Sequence, residues 1–199
     1  MSAMQAISTH AVSTNSISEI RFAHPPRNVA VIGVEPGMYV ADFGAGSGAY
    51  VFAIAECLEN AGHVYAIDVQ KDLLRRIANE ATQRGFRNVE VLWGDLESSG
   101  GSKLSDGSMD IVLISNLLFQ VSDKSAVLSE ARRILKSVGR LAIIDWSDSF
   151  NGMGPIPEDV VTKEKALELA KKAGFKLEKE FPAGAHHYEL ILRPGIVQS

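Results

Sequence analysis

The 199-residue sequence contains a single cysteine, Cys57. One thiol forms no internal disulfide and cannot build a cysteine-based zinc cluster. Long apolar runs are missing as well, and no stretch nears the ~20 residues that cross a bilayer. Positive charge is in the minority: 20 Lys and Arg stand against 24 Asp and Glu, for a net charge of −4. That balance leaves no electrostatic footprint for nucleic acid. The first residues lack the basic start and apolar middle of a secretory signal, and the arginines of a mitochondrial one. These absences point to a cytoplasmic protein with no membrane segment. Residues 1–24 read as a flexible tail or lid and residues 25–199 as one domain.

What is present is an alternation of short β-rich runs and helical patterns. Strands are expected at 38–43, 63–68, 89–93, 109–115, 140–146, 175–181 and 187–193. The helix between the second and third is marked by Leu73, Leu74, Ile77, Ala78 and Ala81 at helical spacing, with Gly85 as its stop. Asp123 can cap a helix reaching Lys136, and Thr162 another ending before Gly174. Repeated strand–helix units predict an α/β fold, a doubly wound Rossmann-like parallel sheet with helices on both faces. The last two strands are joined by a short turn at Pro182-Ala183-Gly184. They must therefore be antiparallel neighbours, giving seven strands with the last reversed.

Gly44-Ala45-Gly46-Ser47-Gly48 follows the first strand and opens a helix. Missing Cβ atoms there let backbone approach a ligand. The glycines also satisfy a dinucleotide pattern, and Asp68 lies where a ribose-binding acid belongs. Charge separates the candidates. Asp42 stands at the mouth of the loop, and no Lys or Arg occurs between Met38 and Gln70. A carboxylate there repels a pyrophosphate and attracts an ammonium or a sulfonium. Gly94-Asp95-Leu96 follows the third strand, where a carboxylate can accept from an adenine amine and Leu96 can pack on the ring. Asn116 lies at the same edge.

In this order the segments resemble the class I S-adenosylmethionine-dependent methyltransferase family. Residues 40–48 are similar to its motif I, 65–68 to its acidic strand, 94–96 to its adenine motif, and 110–116 to its fourth-strand motif. The resemblance implies sheet order 3-2-1-4-5-7-6 and S-adenosylmethionine as cofactor. By position it assigns Asp42, Gly44, Ala45, Gly46 and Gly48 to the methionine part and Asp68 to the ribose hydroxyls, with Val69 beside it as a further cofactor-binding residue. Gly94, Asp95 and Leu96 would hold adenine, and Asn116 the sulfonium side. Methyl transfer from a sulfonium is a direct displacement that needs alignment above all, so no side chain is nominated as catalytic.

The expected acceptor is a small molecule. An Asn-Pro-Pro-aromatic motif after the fourth strand is absent, where the sequence reads Ser115-Asn116-Leu117-Leu118. With Cys57 alone, cytosine C5 chemistry through a Pro-Cys nucleophile and arsenite capture by a cysteine cluster are both excluded. The adjacent His186 and His187 would point to opposite faces of a strand, so no metal site is expected. Two other readings stay open: a methyltransferase-like binding protein without turnover, and a nicotinamide oxidoreductase. Against the latter, no tyrosine is followed four residues later by lysine.

Overall fold

A computed structural model describes residues 24–195 of the chain. The helices are α1 (Pro25–Ile32), α2 (Ala49–Cys57), α3 (Lys71–Gln83), α4 (Lys124–Ile134) and α5 (Lys163–Lys172). The strands are β1 (Tyr39–Phe43), β2 (His63–Asp68), β3 (Val89–Trp93), β4 (Met109–Ser115), β5 (Leu135–Trp146), β6 (Phe175–Gly184) and β7 (His187–Pro194). They form one sheet in the order β3-β2-β1-β4-β5-β7-β6. β1 runs parallel to β2 and β4, and β7 antiparallel to β5 and β6. The fold is thus α/β with the expected order and the last strand reversed.

Strand alternation divides the core into two layers. Val40, Val64, Ile111 and Ile144 meet α1, α2 and α3, through residues such as Val29, Ile54 and Ile77. Ala41, Phe43, Val112 and Ile143 meet α4 and α5, through Val127, Leu128, Ala166 and Ala170. α3 turns Leu74, Ile77 and Ala81 inward, as its spacing requires. From β1 the chain winds outward to β3 and then returns to place β4 on the other flank of β1. Where the winding reverses, the carboxyl ends of β1 and β4 diverge and open a crevice.

Two boundaries differ from the sequence reading. α4 ends at Ile134 rather than Lys136, because Leu135 is already extended and pairs with Met109 on β4. Gly139 then allows a close return: a Cβ there would stand 3.0 Å from the Asp110 carbonyl oxygen. The final reversal falls at Ala185-His186 rather than at 182–184. Ala183 is buried and Gly184 pairs with His187, so β6 continues through the expected turn.

Candidate active site

The glycine loop between β1 and α2 is held by β2. The Gly44 and Ala45 N–H groups both donate to the Ile67 carbonyl, at 2.9 and 3.0 Å. The Gly46 N–H donates to Asp68 Oδ2 at 3.0 Å, and the Gln70 N–H to Asp68 Oδ1 at 2.8 Å. Three N–H groups that could cradle a phosphate are therefore already taken. Gly44 has φ +71, and a Cβ there would stand 2.8 Å from Leu117 Cδ1. The positive φ favours glycine, and the loop lies against the Leu117 side chain of the segment after β4.

Two adjoining cavities open along this edge and share Gly44, Gly46 and Gln120. The first, about 240 Å³, is bordered by Asp68, Val69, Gly94, Asp95, Leu96 and Leu117. The second, about 200 Å³, is bordered by Asp42, Ala45, Ser47, Tyr50, Ser115 and Asn116. The crevice thus brings together ten of the eleven residues singled out from the sequence. Gly48 instead lies behind it: a Cβ there would stand 2.9 Å from Ile77 Cγ1, so it serves the packing of α2 on α3. Among the described residues no Lys or Arg borders either cavity.

Asp42 is 2% exposed and accepts no hydrogen bond among the described residues. Burial first, and then the neighbouring Asp68, push its carboxyl up to about 7. Asn116 sits at φ +51, and its Oδ1 is buried without a partner among the described residues. Asp95 is exposed and caps its own turn, accepting from the Glu97 N–H and the Ser98 hydroxyl, both at 3.0 Å. Leu96 is buried beside it. Gly94 is fixed by a close approach: a Cβ would stand 2.0 Å from the Gly101 carbonyl oxygen.

Tyr50 and Gln120 also border the crevice and were not singled out from the sequence. Tyr50 lies in the first turn of α2, and its hydroxyl accepts from Asn28 Nδ2 at 3.0 Å. Burial pushes its hydroxyl up to about 12. Gln120 Nε2 donates to the Asn116 carbonyl at 2.5 Å. A place two residues past Gly48, or one helical turn past Asn116, is the only signal either carries. His24 caps α1, accepting from the Arg27 N–H. Cys57 is partly buried at the end of α2, away from the crevice. His186 and His187 turn to different partners, Phe150 and Trp146.

A methyltransferase-domain family model matches residues 34–186. The chain belongs to the class I S-adenosylmethionine-dependent methyltransferases. It is 27% identical to an S-adenosylmethionine-dependent methyltransferase from Aquifex aeolicus, covering 88% of this chain and 92% of that one, with a TM-score of 0.79. It is 36% identical over 115 residues to an arsenite methyltransferase from Aquipseudomonas alcaligenes, covering 55% of this chain but only 33% of the relative. It is 32% identical over 171 residues to a demethylmenaquinone methyltransferase from Listeria monocytogenes, covering 81% of this chain and 71% of the relative. The cofactor of this family is S-adenosylmethionine. The crevice fits a cationic ligand of that kind: among the described residues it has a buried, unpaired carboxylate, an orphaned amide oxygen and no basic side chain.

Proposed function

We propose that the chain transfers a methyl group to a small-molecule acceptor, and that residues 25–199 form the methyltransferase domain. The observation that carries this reading is Asp42, buried and, among the described residues, unpaired in a crevice without a basic side chain. A buried carboxylate of this kind costs the free protein and is compensated when a cation arrives. Asp42 would hold the amino-acid end of the cofactor, beside the orphaned Oδ1 of Asn116. Asp68 keeps lone pairs free beyond its two backbone bonds and would accept from the ribose hydroxyls. Asp95 and Leu96 would hold the adenine end, and Val69 would line the cofactor between ribose and base. Gly44, Ala45 and Gly46 supply the close backbone wall between the two ends, and Gly48 fixes the helix behind them. When bound, S-adenosylmethionine supplies an electrophilic methyl carbon on a sulfonium. The remaining task of the protein is to orient the acceptor and exclude water.

The acceptor side is assigned to the segment 147–161, which leaves β5 at the crevice edge. It carries Phe150, Met153 and Ile156, the latter two well exposed. Such long connections are commonly functional, and these side chains can cover an apolar ligand. A chain with one cysteine offers no cysteine cluster for arsenite, so an organic acceptor is favoured. No helix among the described residues is long and apolar enough to cross a membrane. Limited proteolysis tests this assignment. Cofactor should slow cutting between Ser147 and Val161, and replacing Phe150, Met153 and Ile156 by serine should abolish turnover while cofactor still binds. Full turnover by that variant would reduce the segment to a connector.

A further inference from the structure

The register of the sheet lines up a second set of polar groups on the face that carries Asp42. Asp42 pairs with Leu113, and Ser115, two residues on, pairs with Ile144. Ile144 pairs with Glu189, and Trp146 with His187. Directly paired residues, and residues two apart, share a face. His187 and Glu189 therefore lie on the face of Asp42 and Ser115. Strand spacing puts β7 about 10 Å from β4.

These two side chains are 5% and 1% exposed, yet both ring nitrogens of His187 and Oε1 of Glu189 lack a partner among the described residues. Orphaned groups at this depth are rare and call for a reason. The His187 ring is fixed against Trp146, with centroids 4.3 Å apart. It also borders a groove of about 540 Å³ beyond the end of β5, with Ser147 and Tyr188. The segment 147–161 closes over this end. Gly154, at φ +73, lies so close to the indole that a Cβ would stand 2.5 Å from Trp146 Cε2.

We propose that His187 is the specificity-determining residue that receives the methyl acceptor, a small molecule presenting a hydroxyl on an apolar body, when segment 147–161 lifts from Trp146. The proposal rests on the methyl-transfer reading above and names its substrate class. Burial, and then the adjacent His186, lower the His187 pKa to about 4, with Asp148 opposing them. The ring is thus neutral at physiological pH, with one nitrogen free to accept from a hydroxyl and one to donate. A site built to bond a hydroxyl discriminates strongly against the analogue that lacks it. An amine is the poorer acceptor here. Asp42 and Glu189 on this face, with Glu164 and Glu180 at the groove, outnumber Arg27 and Lys163 there and favour its protonated form, which has no lone pair to offer.

The test uses the full chain saturated with S-adenosylhomocysteine, ¹⁵N-labelled at histidine, with phenol as the hydroxyl probe. Toluene and benzylamine are the controls. His187→Phe, which keeps the stacking, assigns the signal. Phenol should move one His187 ring nitrogen upfield, and toluene should not. His187→Phe should bind S-adenosylhomocysteine within about twofold of wild type but phenol about tenfold more weakly, the loss of one hydrogen bond. Cofactor binding with an unmoved His187 signal overturns this inference and leaves the methyltransferase reading standing. So does an equal response to toluene or a stronger one to benzylamine. Failure to bind S-adenosylhomocysteine overturns the underlying reading and the inference with it.

Discussion

At the scale of single residues, Asp42 sets the sharpest expectation, because it trades stability against binding. Its folded-state pKa is raised from 3.8 to about 7. The folded protein therefore holds a proton that the unfolded chain releases, and Asp42 costs stability progressively as pH rises from about 4 through 7. Asp42→Asn should raise the melting temperature at pH 8, by about 1 kcal/mol of stability, and change little at pH 4. The same variant should weaken S-adenosylhomocysteine binding about tenfold at pH 8, the loss of one charge-assisted bond. Asp145 and Glu189 are also raised to about 7 by burial, so the difference between variant and wild type isolates Asp42. A destabilised variant with unchanged affinity would assign the carboxylate to the fold. Asp68 differs. It anchors the Gly46 and Gln70 N–H groups, so Asp68→Ala should lose both cofactor affinity and about 1–3 kcal/mol of stability. Thermal melts of the free protein beside calorimetric titration separate the two losses.

At the scale of elements, the loop between β3 and β4 owes its shape to α4. Glu130 is buried on the inner face of that helix and accepts from the Gly100 and Ser102 N–H groups at 3.2 and 3.0 Å. It also accepts from the Ser102 hydroxyl at 2.6 Å and from Arg133 Nε at 2.9 Å. Arg133 in turn holds Asp106 and the Leu104 carbonyl. Burial pushes the Glu130 carboxyl up, and these hydrogen bonds outweigh it, bringing it to about 2. A depressed carboxylate stabilises the fold above its unfolded pKa, and that contribution is lost as pH falls from about 4.5 to 2. Glu130→Gln should therefore destabilise the protein by about 1–3 kcal/mol at pH 7 and flatten that part of the acid-unfolding curve. Hydrogen exchange at residues 97–107 should accelerate in the variant. Unchanged protection there would remove the clamp from the account. Such a clamp was illegible in the sequence: Glu130 occupies an apolar phase of α4 beside Val127 and Ala131, and its loop partners Gly100 and Ser102 lie 30 and 28 residues away.

For the whole molecule, periodicity was enough to reveal the strands, the helices on both faces and the reversed β7, because each element buries one face. It could not give the strand order, which depends on contacts between distant segments; the family resemblance supplied that. The crevice residues were readable where chemistry and position coincide, as at Asp42, Asp68 and Gly44. Tyr50 and Gln120 were not, because a helix and a turn outside the glycine loop carry them to the crevice; that Glu189 and His187 share the face of Asp42 follows only from the register of β4, β5 and β7. The sheet order itself makes the crevice, and the loop hydrogen bonds set its preference. With Gly44, Ala45 and Gly46 N–H groups committed to β2, a pyrophosphate loses three of the loop's donors and faces Asp42. Isothermal titration of the full chain with S-adenosylhomocysteine and with NADH, at pH 8, weighs these two ligands directly. The account predicts saturable 1:1 binding of S-adenosylhomocysteine, with a Kd of about 1–100 μM corresponding to roughly −5 to −8 kcal/mol, and no heat of binding from NADH. Tight binding of NADH with none of S-adenosylhomocysteine would contradict it.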